Sequence, residues 1–430
     1  LLGCAMYGQK NIVSHTSGEG SFGLVTSKKT SKLVLDPSDF EGVNIAAKNF
    51  QKDIERVTGK LPEFISEVKG NGNVIIGTIG RNKMIDSLIQ HQNIDVSKIQ
   101  GKWEAYSIKK IGEDLLIIGS DKRGTIFGIY ELSKQIGVSP WYWWADVPAK
   151  KADELYIDNA GLTSTGPKVQ YRGIFINDEA PALSSWVTEN YGKFNHEFYE
   201  PVFELILRLK GNYMWPAMWG KAFYDDDPEN GVLADKYGIV MGTSHHEPLM
   251  RAQAEWGRYG SGDWNYETNA DTLKSFWRKG IERMGDRESL VTIGMRGDGD
   301  EPMTEGTAIS LLERIVKDQR EIISDVTQKP AEKTPQVWAL YKEVQDYYDQ
   351  GMRVPDDVTL LLADDNWGNI RKLPKLKDST RSGGYGIYYH FDYVGGPRSY
   401  KWINTTQISR VYEQMSLAYA YHARKVWIVN

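Results

Sequence analysis

Carboxylates, histidines and tryptophans recur in the second part of this 430-residue chain, each directly after a short apolar run. In order they are Asn177-Asp178-Glu179, Trp215 with Trp219, His245-His246-Glu247, Arg296-Gly297-Asp298-Gly299-Asp300-Glu301, Glu343, Asp364-Asp365-Asn366, and His390 with Tyr393. Such a set is what glycoside hydrolysis requires. One carboxylic acid protonates the leaving oxygen while a carboxylate activates water or attacks the anomeric carbon. Taken singly each residue is weak evidence, because acidic side chains are common in solvated loops and lone histidines are often structural.

Other chemistries fit less well. His245-His246-Glu247 lacks the His-Glu-x-x-His spacing that puts two ligands on one helical face, and the single cysteine, Cys4, excludes a cysteine-based zinc site. Asp298-Gly299-Asp300 resembles the start of a calcium loop without its later ligands. Neither a Gly-x-Ser-x-Gly elbow nor a phosphate-binding Walker loop occurs. The string Gly18-Glu19-Gly20-Ser21-Phe22-Gly23 has dinucleotide-motif spacing, but a strand-like Leu24-Val25-Thr26 follows it where a helix is needed. No metal and no cofactor is expected.

The elements that must position these residues follow from periodicity. Eight apolar runs alternate with helices or long loops: Tyr171–Ile176, Gly211–Trp215, Tyr237–Thr243, Leu290–Met295, Pro335–Tyr341, Val358–Ala363, Gly384–Tyr389 and Lys425–Val429. Helical faces are formed by Phe198, Val202, Leu205, Ile206 and Leu209, by Ala308, Leu311, Leu312, Ile315, Ile322 and Ile323, and by Ile408, Val411, Tyr412, Met415 and Tyr419. The fold class is therefore α/β, with a (β/α)8 TIM-type barrel over residues 166–430 whose chemistry sits at the strand C-termini. The sequence stops on the eighth strand, so the barrel is expected to be truncated and to lack its final helix.

Residues 21–165 predict a small α+β accessory domain. It has a helix around Val43–Val57 stopped by Gly59, strands at Trp103–Lys109, Val74–Gly77 and Leu115–Gly119, and a helix from Arg123 to Ile136. Trp141, Trp143 and Trp144 fall at the join to the barrel. Residues 1–20 read as a signal-peptide remnant and leader, and Leu1-Leu2-Gly3-Cys4 loosely fits a lipobox with Cys4 as lipid anchor. Export to a bacterial periplasm or cell surface is the expectation. Fourteen Trp and 24 Tyr make the chain unusually aromatic, useful for packing and for covering the C–H faces of sugars. A net charge of −5 without a basic run speaks against nucleic acid as a partner.

Six segments in order resemble the xylan α-glucuronidases of glycoside hydrolase family 115. They are Tyr171–Glu179, Asn212–Trp219, Gly294–Asp300, Tyr341–Val344, Ala363–Asn369 and Tyr389–Tyr393. The resemblance implies release of α-1,2-linked glucuronic acid, or its 4-O-methyl ether, from glucuronoxylan with inversion. Inversion places the two carboxyl groups roughly 6.5–9.5 Å apart to admit the attacking water. Carried over by motif, Asp300 and Glu343 are the catalytic carboxylates, with Glu343 taken as acid and Asp300 as base, an order that spacing does not fix. Arg296, Asn366, His390 and Tyr393 would hold the uronic acid, with His245 and Glu179 as further substrate contacts. Arg296 has a second reading as a salt bridge to Asp298 or Asp300. Trp215 and Trp219 would stack on xylose or seal the barrel. Family members carry a further C-terminal region, through which a homodimer is conceivable. Two rivals stay open: an N-acetylhexosaminidase-like enzyme, for which Asp300-Glu301 would serve as the acidic pair, and a non-catalytic polysaccharide-binding barrel.

Overall fold

The computed structural model describes residues 10–303, 308–375, 381–394 and 404–430. Cys4, the lipid-anchor candidate, lies outside the described residues. The chain divides into two compact units, one of residues 1–167 with 207–210 and 236–238, the other of 168–206, 211–235 and 239–430.

The first unit contains a six-stranded mixed sheet in the order Phe64–Ile65, Leu33–Leu35, Val74–Thr78, Asp114–Gly119, Tyr106–Ile111, Leu162–Ser164. Helix Glu41–Thr58 buries Val43, Ala46, Ala47, Phe50, Ile54 and Val57, one face at helical spacing. It stops at Gly59, whose φ of +73° favours glycine. Helix Lys122–Gln135 starts where the Asp121 carboxylate accepts the Gly124 N–H at 2.8 Å. A second sheet joins Val13–Ser14, Leu155–Ile157 and Phe22–Val25, so the stretch read as leader supplies a strand, with Ile12 buried beside it. The glycine string at Gly18 leads into strand Phe22–Val25 and not into a helix. The strand expected from Trp103 starts at Tyr106 instead, after Glu104 takes a φ of +53°.

The second unit is built on eight parallel strands, here numbered 1 to 8: Tyr171–Phe175, Tyr213–Trp215, Val240–Met241, Val291–Thr292, Gln336–Leu340, Thr359–Ala363, Tyr385–Tyr389 and Val426–Val429. All eight predicted runs become strands. They form one sheet in the order 3-2-1-8-7-6-5-4. Strands 3 and 4 meet through a single parallel bridge, Met241 to Ser289, with the Met241 N–H donating to Glu288 and the Leu290 N–H to Met241. That bridge closes the curl into a ring. Parallel neighbours need long crossovers, which explains the alternation with helices. The interior is filled by rings: Trp215 lies 5.4 Å from Phe175 and 5.5 Å from Tyr388, centroid to centroid. Gly242 is demanded by this filling, because a Cβ there would lie 2.3 Å from the Tyr213 hydroxyl oxygen.

One predicted helical face differs. Helix Ile408–Ala420 packs through Met415 and Ala418, while Ile408 and Tyr412 turn to solvent. Among the described residues no helix is long and apolar enough to cross a membrane.

Candidate active site

Strand 4 ends irregularly, and a side chain finishes what the lattice leaves undone. Gly294 takes a φ of +99°; the Gln319 side chain accepts its N–H at 2.7 Å and donates to its carbonyl at 2.8 Å. The Trp264 indole N–H then donates to the Arg296 carbonyl at 2.9 Å, and the Gly297 N–H donates to the Glu301 carbonyl at 2.6 Å. This loop is held at both ends. At its tip Asp300 sits at a φ of +69°, a left-handed conformation uncommon outside glycine, and a local constraint holds it there.

The constraint is a buried arginine. Arg296 is 3 % exposed, and its fork lies on Glu343, Nε to Oε1 at 2.8 Å and Nη2 to Oε2 at 2.7 Å. Its Nη1 pairs with both the side chain and the carbonyl of Asp300. One guanidinium thus bridges the carboxylates that follow strands 4 and 5. Such charge-assisted, two-point contacts fix geometry as well as energy. In this structure four of the five N–H donors of Arg296 are taken by Asp300 and Glu343. The salt-bridge alternative describes it, with Glu343 as the second partner.

Asp300 receives more donors. His245 Nε2 lies 2.9 Å from its Oδ1, and Lys342 Nζ donates to its Oδ2 at 3.0 Å. A carboxylate offers about four lone-pair positions. Arg296 and His245 occupy those of Oδ1 and Lys342 one on Oδ2, which leaves Oδ2 able to take one further donor. Burial holds the His245 ring neutral well below the usual histidine range, aided by the positive charges of Arg296 and Lys342. His246 is shifted the same way, again chiefly by burial. A neutral His245 donates Nε2–H to Asp300, leaving Nδ1 to face the Ser244 hydroxyl at 3.2 Å. Ligand atoms of His245, His246 and Asp300 all lie within 4.8 Å of one another, a spacing that could take a metal ion. Two cationic side chains already pair with Asp300, so a divalent ion would meet repulsion there.

Next round the ring, strands 6 and 7 present a second arrangement. The buried Asp364 carboxylate accepts from His390 Nδ1 at 2.6 Å, from the Gly368 N–H at 2.9 Å and from the His390 and Asn366 N–H groups at 3.2 Å. Asp364 therefore fixes the orientation of His390. The Tyr341 hydroxyl donates to Asn366 Oδ1 at 3.1 Å, and burial pushes that phenol up to about 12. The Tyr393 ring stands 5.6 Å from His390.

Strands 1 and 2 supply the remaining wall. Asp178, 1 % exposed, accepts the Met218 and Trp219 N–H groups at 3.1 Å, which fixes the turn carrying Trp219. Burial raises Asp178 above the ordinary carboxylate range. The Trp219 indole N–H donates to Glu179 at 3.1 Å. Glu247, next to His246, is raised to about 8, mainly by burial, with the charges of Asp178 and Glu255 adding to it.

These pieces surround a cavity of about 80 Å³ lined by Glu179, Trp219, His245, Asp300, Lys342, His390 and Tyr393, among others. Larger hollows of about 550 Å³ and 460 Å³ lie against helices Ile309–Thr327 and Ile408–Ala420, and neither is lined by any of these groups. Of the predicted residues, Asp300, His245, Glu179, Trp219, His390 and Tyr393 line the cavity; Arg296 and Glu343 support it through Asp300 and Lys342, and Asn366 through Tyr341. Trp215 does not join them. It is fully buried, its indole N–H donating to the Tyr213 hydroxyl at 2.5 Å, so it seals the barrel and stacks on no sugar. Lys342, Asp364, Asp178 and Glu247 were given no individual role from the sequence, although Asp178, Lys342 and Asp364 stand inside the motifs that carried the resemblance.

The Glycosyl hydrolase family 115 model matches residues 164–430. Among solved structures, a family 115 4-O-methyl-α-glucuronidase with specificity for decorated arabinogalactans superposes with a TM-score of 0.87 at 34 % identity, over 95 % of this chain and 55 % of that one. The present chain thus spans about half the length of that relative. A family 138 enzyme targeting pectin rhamnogalacturonan II has a TM-score of 0.54 at 12 % identity, covering 93 % of this chain and 46 % of that one. A chitobiase of Flavobacterium johnsoniae has a TM-score of 0.51 at 12 % identity, covering 88 % and 57 %. Those two show a shared fold alone. A search of curated proteins returns no match.

Proposed function

We propose that this chain, which belongs to glycoside hydrolase family 115, removes α-linked glucuronic acid or its 4-O-methyl ether from polysaccharide side chains with inversion at the anomeric carbon. The observation that carries the reading is the pair Asp300 and Glu343, held on neighbouring loops by one buried arginine beside a cavity at the strand C-termini. Glu343 acts as the acid, which requires that one of its two Arg296 contacts be exchanged for a proton. Asp300 acts as the base through the remaining lone pair of Oδ2, taking a proton from the attacking water. Charge then develops on an oxocarbenium-like sugar between them. Lys342 lines the cavity and is the cation suited to meet the uronate, with His390 and Tyr393 as further contacts and Asn366 ordering Tyr341.

Glucuronoxylan is the first substrate to test. Decorated arabinogalactan is the second reading, favoured by the 34 % identical relative named for it. The test is release of uronic acid from both polysaccharides, with the first anomer formed read by proton NMR. Glu343→Gln and Asp300→Asn are each expected to lower release by about 10³-fold with an unchanged circular dichroism spectrum. Full activity in either variant overturns the assignment, and an α-anomer as first product overturns inversion.

A further inference from the structure

Ring order makes strands 2 and 6 diametric, four places apart among eight. The loop after strand 2 carries Trp219 and the loop after strand 6 carries Trp367, 46 % and 51 % exposed. Single exposed apolar residues need no explanation in themselves. Trp367 differs in three respects.

First, its place is one ring beyond the cavity. Tyr393 lines the cavity next to His390, and the Trp367 ring lies 6.3 Å beyond Tyr393. Second, its loop is locked. Asp365 Oδ1 accepts the Trp367 and Asn369 N–H groups at 3.1 Å, Asp364 accepts the Gly368 N–H at 2.9 Å, and the Tyr389 hydroxyl donates to the Gly368 carbonyl at 2.9 Å. Gly368 holds a φ of +80°, with the Thr406 methyl 2.4 Å from where a Cβ would stand. A turn whose backbone is held this firmly has little loop freedom to lose on binding. Third, the same turn carries Asn366, so the position of the ring is tied to that of a residue bonded to a cavity wall. Trp219 stands at another place: it lines the cavity directly, with its indole N–H donating to Glu179 and its ring 6.1 Å from His246.

We propose that Trp367 is a main-chain subsite. Its exposed face takes the pyranose ring adjacent to the one that bears the uronic acid, through contact between the apolar C–H face of the sugar and the indole. This inference rests on the activity proposed above, because the cavity must hold the side-chain uronate for the main chain to pass Trp367. The class of ligand is a neutral, pyranose-based polysaccharide backbone.

The experiment compares two substrates on the wild-type protein, Trp367→Ala and Trp367→Phe. One is the disaccharide of 4-O-methylglucuronic acid and xylose; the other carries the same uronate on the middle sugar of xylotriose. The expected result is that Trp367→Ala raises KM about tenfold more for the longer substrate than for the disaccharide, a difference of about 1.4 kcal/mol, and that Trp367→Phe restores most of it. Equal losses on both substrates, or no loss on either, overturn the subsite. Binding of the longer substrate to Glu343→Gln, with and without Trp367→Ala, is measured in parallel by calorimetry. A wild-type protein that releases no uronate yet loses this binding on Trp367→Ala overturns the activity and leaves the subsite standing. Binding unaffected by Trp367→Ala overturns the subsite whatever the activity.

Discussion

The two units bury charge in opposite ways. In the N-terminal unit each buried charge described here is matched locally. Glu104 pairs with Arg123 at 2.7 Å, both nearly inaccessible, Asp53 takes Arg56 at 2.7 Å, and Asp39 accepts the Thr78 N–H at 2.9 Å and the Asn82 amide at 3.2 Å. At the mouth of the barrel the matching is unequal. Arg296 and Lys342 gather on Asp300, while His245, His246, Asp178 and Glu247 are pushed by burial towards their neutral forms. Structural pairs neutralise one another and stop there. A site that must move protons keeps groups whose charge is contested.

The sharpest way to break this contrast is at Arg296. Arg296→Lys keeps the charge but loses the fork that reaches two carboxylates at once, and activity is expected to fall by about 10²-fold. Arg296→Met should lose at least as much activity and in addition about 3 kcal/mol of stability in urea denaturation, because it leaves two carboxylates facing one another. Unchanged kcat in Arg296→Lys would remove the arginine from the mechanism.

A smaller and purely structural effect is expected in the other unit. Glu104→Ala removes the carboxylate partner of the buried Arg123 guanidinium and should cost about 3 kcal/mol. The kcat of the folded protein, assayed well below its melting temperature, should stay at the wild-type value. A specific fall in kcat would show that the two classes of buried charge are not separate.

A last effect, read through pH, concerns Glu247. Its folded pKa of about 8 lies above the ordinary value of 4.5, so the folded protein keeps a proton that the unfolded chain gives up. Stability from this group is complete below about pH 4.5 and declines as pH rises to about 8, by at most about 1.4 kcal/mol per pH unit. Glu247→Gln cannot ionise and should flatten that decline in denaturation series at pH 5, 6, 7 and 8. An undiminished slope in the variant assigns the dependence to another group.

The barrel was legible because parallel strands enclosed on both faces are short, largely apolar runs, although Arg172 and Gln336 interrupt two of them. The loops after those runs were equally legible as the place for chemistry. What the runs do not encode is lateral: which residue of one loop reaches a residue of the next. Arg296 and Glu343 are 47 positions apart and meet only because strands 4 and 5 are neighbours. Trp215 could have been read more closely, since it shares the face of Tyr213 two residues earlier, and Tyr213 fills the interior. Asp364 received no role of its own because it acts through His390, and Lys342 received none because its pairing with Asp300 runs from one loop to the next; no spacing rule names such pairs.

The single bridge between Met241 and Ser289 has an architectural meaning. The barrel is a band with a clasp: seven seams are continuous ladders, and the eighth is fastened at one point, directly below the segments that bear His245 and Asp300. The most elaborate loop of the candidate site thus rises from the least stitched part of the wall, with Gln319 serving as a rivet where the weave runs out. Such a loop can be recut over generations without unpicking a long seam, and one scaffold can in that way be refitted to many sugars.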